Sequence, residues 1–271
     1  MRTVAGNGVN LAVLDQGDGP PVLLLHGFPD SSKVWRHQVP TLVRAGLRVL
    51  APDLRGFGES DRPERVDDYR MRNLVADIVA LLDALDLEKV RVVGHDWGAA
   101  LAWVFAASVP DRVERLVAMS VGNPNTHRTR SIEQRQKSWY MLLFQFPGVA
   151  EQLIMRDDWK LFREFLDGAG DQEQYLRDLS RPGALTAALN WYRANLAPEI
   201  ELKPPSTLPP VAAPTLGVWS SGDPYLTEDR MLASAEHVAG PWRYVRIEGA
   251  GHWVQLDATQ RVNDLLLEFL T

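Results

Sequence analysis

The chain of 271 residues contains no cysteine. Disulfides, thiolate catalysis and cysteine-based metal sites are therefore excluded. No run approaches the ~18 consecutive apolar residues that a membrane-spanning helix requires. The opening stretch "MRTVAGNGVNLAVLDQG" lacks the apolar segment of a secretory signal and reads as a strand, so a cytoplasmic protein is expected. Basic excess is missing too: 29 Lys and Arg stand against 35 Asp and Glu, a net charge of −6. Without a basic stripe, neither nucleic acid nor an anionic membrane is an expected partner. No internal repeat and no low-complexity tract is found. The length suits one or two domains and allows one large core.

What is present is an alternation of short apolar runs and helical patterns. "PVLLLHG" (21–27), "LRVLAPD" (47–53) and "VRVVGHD" (90–96) are continuous apolar runs that stop on glycine or aspartate. Such runs suit strands buried on both faces of a parallel sheet. Between the last two, Leu74, Ile78, Leu81, Leu82 and Leu85 recur at helical spacing. "WGAALAWVFAASVP" then reads as a small-residue helix stopped by Pro110, and "VERLVAMSVG" (113–122) as another strand. The alternation predicts an α/β fold with a doubly wound, mostly parallel sheet.

The pattern changes from 123 to about 205, where helical periods and aromatics dominate and no strand is evident. The proline-rich linker "KPPSTLPPVAAP" (203–214) closes this stretch, and the strands "TLGVWSSGD" (215–223) and "WRYVRIEG" (242–249) resume the sheet. A last helix carries Val262, Leu265, Leu266, Phe269 and Leu270 on one face. The expected organisation is a core of 1–122 and 209–271 interrupted by a helical lid, 123–208. Such a lid would cover the strand ends, where open α/β sheets place ligands.

Chemistry concentrates at "VVGHDWGAA" (92–100). Gly94-His95-Asp96-Trp97-Gly98 has the spacing of a nucleophile elbow, with aspartate where serine is usual. Side chains at the two glycines would collide with the crossing strand and helix. Alone, the pentapeptide also suits a simple aspartate N-cap. Two further residues extend it: Asp223 follows the strand 215–223, and His252 lies in "EGAGHW" just after the next strand. The order Asp96, Asp223, His252 is the nucleophile–acid–histidine order of the α/β-hydrolase fold. "HGFPDSSKVWRHQVP" (26–40) follows an early strand, where that fold places its oxyanion hole. The backbone N–H groups of Phe28 and Trp97 are the expected donors.

The motifs "HGFP", "WRHQVP", "DLRGFGESDRP", "GHDWG", "FQFPGVAE", "LNWYR" and "GAGHW" together resemble the epoxide hydrolases of the α/β-hydrolase superfamily. The resemblance spans essentially the whole chain, including the lid. It implies hydrolysis of an epoxide to a vicinal diol through an alkyl ester on Asp96. His252 would activate water against that ester and Asp223 would orient His252. It also implies that Tyr140, in "SWYMLLFQFPGVAE", and Tyr192, in "ALNWYRAN", hydrogen-bond and protonate the epoxide oxygen. No metal or organic cofactor is implied. The expected partners are a largely apolar small molecule and water, and the oligomeric state stays open. Trp35, Trp97, Trp191 and Trp253 are the candidate substrate-binding tryptophans.

A haloalkane dehalogenase with the same triad is the alternative chemistry. Trp97 offers one halide donor, but Phe28 stands where such enzymes place a second, asparagine, donor. A non-catalytic small-molecule binder is the alternative class, disfavoured because all three triad members are present. His26 is read as bracing the oxyanion loop beside a cis Pro29, and His95 as hydrogen-bonding beneath the elbow. Asp53, Gly56, Gly58 and Ser60 form a demanding turn. Glu228 and Asp229 are read as opening a helix rather than as the triad acid. His37, His127 and His237 lack ligand spacing.

Overall fold

The computed structural model describes residues 1–129, 131–199 and 207–271, without the side chains of 127–129. The apolar runs form β1 (Arg2–Ala5), β2 (Asn10–Gln16), β3 (Pro21–Leu25), β4 (Arg48–Pro52), β5 (Val90–His95), β6 (Val113–Met119), β7 (Thr215–Ser220) and β8 (Trp242–Ile247). They make one eight-stranded sheet in the order β1-β2-β4-β3-β5-β6-β7-β8. Only β1–β2 and β2–β4 pair antiparallel; every later pairing is parallel.

The burial of each strand follows its place in that order. β3 and β7 are buried almost throughout, whereas β1 and β8, at the two edges, keep partly exposed residues. This is the difference expected between central parallel strands and edges. The helix Met71–Ala84 buries Leu74, Ile78, Leu81 and Leu82 and packs against the helix Trp97–Ser108. A second pair, Gln38–Arg44 and Thr259–Leu270, packs together elsewhere on the sheet.

Helices from Ile132 to Asn195 come between β6 and β7. Among them, Val149–Leu166 is broken at Arg156–Trp159, where three residues have φ of 52°, 55° and 60°. The helix Ala184–Asn195 is tied to the sheet region by several hydrogen bonds. The Trp191 indole donates to the Arg55 carbonyl (2.9 Å), and the Asn195 amide donates to the Tyr69 carbonyl (2.8 Å). Residues 203–206, the start of the proline-rich linker, lie outside the described residues. Among the described residues, no helix is long and apolar enough to cross a membrane.

Candidate active site

Asp96 sits at the end of β5 with φ 52° and ψ −122°, a conformation that costs about 1–3 kcal/mol for a non-glycine residue. Its carboxylate makes no cap bond to the helix it precedes, so the N-cap alternative does not hold. The flanking glycines explain how the turn closes. A Cβ on Gly94 would run into the Gly98 carbonyl, and one on Gly98 into the Leu25 carbonyl of β3. The helix start therefore presses directly on two strands and pushes the Asp96 side chain outward.

The two carboxylate oxygens have different surroundings. Oδ1 accepts the Phe28 backbone N–H at 2.8 Å. Oδ2 lies 3.6 Å from His252 Nε2, a charge contact rather than a direct hydrogen bond. On its other side, His252 Nδ1 is 2.8 Å from Asp223 Oδ2. Asp223 Oδ1 in turn accepts the backbone N–H groups of Tyr225 (2.8 Å) and Leu226 (3.0 Å). Asp223 is thus fixed by the turn it terminates and orients the imidazole.

The His252 loop is pulled back across the sheet to meet Asp96. The Ser220 hydroxyl donates to the Gly251 carbonyl (2.6 Å). The His252 carbonyl lies 2.9 Å from His95 Nε2 and 3.2 Å from the Ser120 hydroxyl. A carbonyl only accepts, so His95 carries its proton on Nε2. His95 is fully buried, and burial holds its pKa down to about 4. It braces the loop as a neutral ring, as expected beneath the elbow. His26 does the same for the oxyanion loop: its Nε2 accepts Leu54 N–H and its Nδ1 donates to the Gly27 carbonyl, both at 2.9 Å. The next peptide, Phe28–Pro29, is cis as expected.

Burial alone would favour neutral His252, but the Asp223 and Asp96 carboxylates outweigh it and lift its pKa to about 10. Burial likewise opposes ionisation of Asp96, and the His252 cation outweighs that, holding the carboxyl below its ordinary value. The two neighbouring carboxyl groups thus favour the protonated ring.

Two cavities flank Asp96. The larger, about 50 Å³, is lined by Trp97, Ala100, Val121, Met141, Leu196, Leu226 and Arg230. The smaller, about 10 Å³, is lined by Phe28, Phe165, Tyr225, His252 and Trp253. Asp96, Tyr140 and Tyr192 line both. The two phenol rings are buried with centroids 6.1 Å apart. Burial, the neighbouring Tyr140 and the Asp96 charge push the Tyr192 phenol well above its ordinary pKa, so it stays a donor. A carboxylate facing two phenols across an apolar cavity can attack saturated carbon while the phenols bind the departing oxygen.

A model of the alpha/beta hydrolase fold family matches residues 20–259. Epoxide hydrolase A of Mycobacterium tuberculosis is 36% identical, covering 100% of this chain and 97% of its own length. Epoxide hydrolase 3 of Xenopus tropicalis is 34% identical over 97% of this chain and 75% of itself. The crystal structure of Bacillus megaterium epoxide hydrolase in complex with an inhibitor superposes with a TM-score of 0.90 at 29% identity, covering 99% of both chains. This chain belongs to the epoxide hydrolase family of α/β-hydrolases.

Not every candidate tryptophan reaches the cavity walls. Trp97 lines the larger cavity and Trp253 the smaller. Trp35 is fully buried and lines neither, so it fills core instead. Trp191 also lines neither: its ring packs between Phe57 and Trp97, at 5.6 Å from each, and its indole is spent on Arg55. It supports Trp97 from behind. Glu228 and Asp229 open the helix Glu228–Ala233, and Glu228 pairs with Tyr244 and Arg246, away from the triad. In the turn, Asp53 accepts the N–H groups of Ser32 and Glu59, while Gly56 and Gly58 take positive φ. His37 and His237 stand at helix ends, and the His127 side chain lies outside the described residues. No group of three metal-ligating side chains is found among the described residues.

Two residues beside the site, Asp30 and Tyr225, carried little sequence signal. Asp30, within "HGFPD", is buried and accepts the Trp253 indole N–H at 2.9 Å. Burial pushes its carboxyl up to about 7. Tyr225 packs edge-on to His252 (5.1 Å) and donates its hydroxyl to the Phe165 carbonyl (2.8 Å). Its position two residues after Asp223 was the one available hint.

Proposed function

We propose that the chain opens an epoxide to a vicinal diol through an alkyl ester on Asp96. The observation that carries this reading is the unequal placement of the Asp96 oxygens. Oδ1 is held by the Phe28 N–H while Oδ2 lies 3.6 Å from His252 Nε2, and Asp96 lines cavities that two buried phenols share.

Oδ2 attacks an epoxide carbon as the ring C–O bond breaks, and Tyr140 and Tyr192 hydrogen-bond and protonate the resulting alkoxide. Esterification removes the Asp96 charge, one of the two that hold the His252 proton. His252 then gives up that proton more easily, which restores the phenol and frees the ring as a base. It deprotonates water, which attacks the Asp96 carbonyl carbon. The oxyanion forms on Oδ1, already at the Phe28 N–H, with the Trp97 N–H as second donor. Collapse passes the proton of the added hydroxyl to the departing alkoxide, releasing the diol and regenerating the carboxylate, and Asp223 steadies the imidazolium whenever it forms. On this reading the substrate is a largely apolar small molecule, and residues 123–208 act as a lid on a core of 1–122 and 209–271.

A single turnover in heavy-oxygen water, with enzyme in excess over a terminal epoxide, tests the ester route. The new hydroxyl oxygen should come from Asp96, leaving the diol unlabelled and the protein labelled. A labelled diol from the first turnover would mean direct attack by water and would overturn the proposal.

A further inference from the structure

The turn that carries the triad acid is held from outside by the first of the inserted helices. That helix, Ile132–Lys137, supplies two side chains that the mechanism above does not use, Gln134 and Lys137. The Lys137 ammonium donates to the Asp223 backbone carbonyl at 2.8 Å. The Gln134 amide nitrogen donates to the Tyr225 carbonyl, and its oxygen accepts the N–H and the hydroxyl of Thr227, all at 2.9 Å. Asp223, Gln134 and Thr227 are buried, and Lys137 is half-buried. A short helix distant in sequence thus grips the whole segment from Asp223 to Thr227.

The same segment aims the triad. Its Tyr225 and Leu226 N–H groups hold Asp223 Oδ1, which leaves Oδ2 for His252 Nδ1 at 2.8 Å. An ammonium is strongly hydrated, so its bond to a single backbone carbonyl is a specific use of the charge, and a charge-assisted bond is about twice as strong as a neutral one. The helix is also tied to the one that follows it. The Gln134 amide donates to the Ser138 hydroxyl at 2.8 Å, and Ser138 precedes the helix Trp139–Leu143, which carries Tyr140. Lys137 itself lines neither cavity beside Asp96.

Resting on the epoxide-opening reading, we propose that Lys137 is a positioning residue for ester hydrolysis, holding Asp223 so that His252 is aimed at the attacking water. The two halves of the reaction ask different things of the site. Ester formation uses the Asp96 carboxylate, held by the Phe28 N–H, together with the two phenols. Ester hydrolysis uses His252 as base, and the aim of that ring is set through Nδ1 by Asp223. A loosened Asp223 therefore slows the second half and spares the first. Lys137 acts only through Asp223 and meets none of the reacting atoms.

The test follows a terminal alkyl epoxide on the full chain by rapid quench and intact mass, which times ester formation and ester loss separately. Lys137→Met should form the ester within about threefold of the wild-type rate and hydrolyse it about five- to fiftyfold more slowly. The ester should then build up as kcat falls. Lys137→Arg keeps a charged donor and should recover most of the hydrolysis rate. Equal slowing of both steps, or unchanged hydrolysis, would overturn the proposal. Hydrogen exchange over Asp223–Thr227 needs no turnover. It should quicken about fivefold or more in Lys137→Met and stay near the wild-type rate in Lys137→Arg. Unchanged exchange in Lys137→Met would refute the hold on Asp223. If no ester forms in any of these proteins while exchange still responds to Lys137→Met, the function reading fails and the hold of Lys137 on Asp223 stands.

Discussion

The two halves of the site are held by different forces. On the strand-end half, Asp96, Asp223 and His252 are fixed by backbone groups. The Phe28 N–H holds Asp96, the Tyr225 and Leu226 N–H groups hold Asp223, and the His252 carbonyl meets His95. On the lid half, Tyr140 and Tyr192 are held by packing against aromatic rings, Phe144 being 5.4 Å and 5.0 Å away. Behind them, Arg193 forms a buried pair with Glu151 at 2.8 and 3.0 Å and donates to the Phe144 carbonyl. Backbone bonds fix the atoms that must meet within a fraction of an ångström. Side-chain packing sets the walls, which adapt more readily to a different substrate.

The contrast can be broken most sharply at Asp96. Asp96→Ala should cut kcat at least about 10⁴-fold, measured as diol formation, with the protein still folded. The lid half should instead fail in stability. Glu151→Leu leaves Arg193 buried without its carboxylate and should cost about 3–5 kcal/mol in denaturant unfolding. Tyr140→Phe and Tyr192→Phe should each lower kcat about ten- to a hundredfold while the protein stays folded, since packing survives and one donor is lost.

A separate, pH-dependent effect concerns Asp30. Its carboxyl ordinarily titrates near 3.8 and is pushed up to about 7 by burial. The folded state therefore keeps a proton that the unfolded state has released. This contribution to stability is complete below about 4 and is lost as pH rises through about 7. Asp30→Asn should flatten the fall in stability between those pH values. An unchanged pH profile would show that Asp30 is already ionised in the folded protein.

The same contrast explains what the sequence made legible. The strand-end half was readable because each triad member directly follows an apolar run, and glycine spacing announces the elbow at Gly94 and Gly98. The lid tyrosines were readable only through motif resemblance, because a buried phenol and a packing phenol share one helical period. Trp35 and Trp191 line neither cavity for a related reason. Aromatic residues signal burial, and only tertiary packing decides whether Trp191 meets substrate or backs Trp97. Asp30 gave no sign of its place: a charged residue in a loop does not show that the fold will bury it beside Trp253.

The most direct test of the account is the intact mass of a His252→Ala variant after exposure to a terminal epoxide. Without its base, ester hydrolysis should slow about 10²- to 10⁴-fold and the intermediate should accumulate. The account predicts a gain equal to the whole epoxide, since ring opening expels nothing, and no gain when Asp96→Ala is added. No adduct during continued diol formation, or an adduct that survives Asp96→Ala, would contradict it.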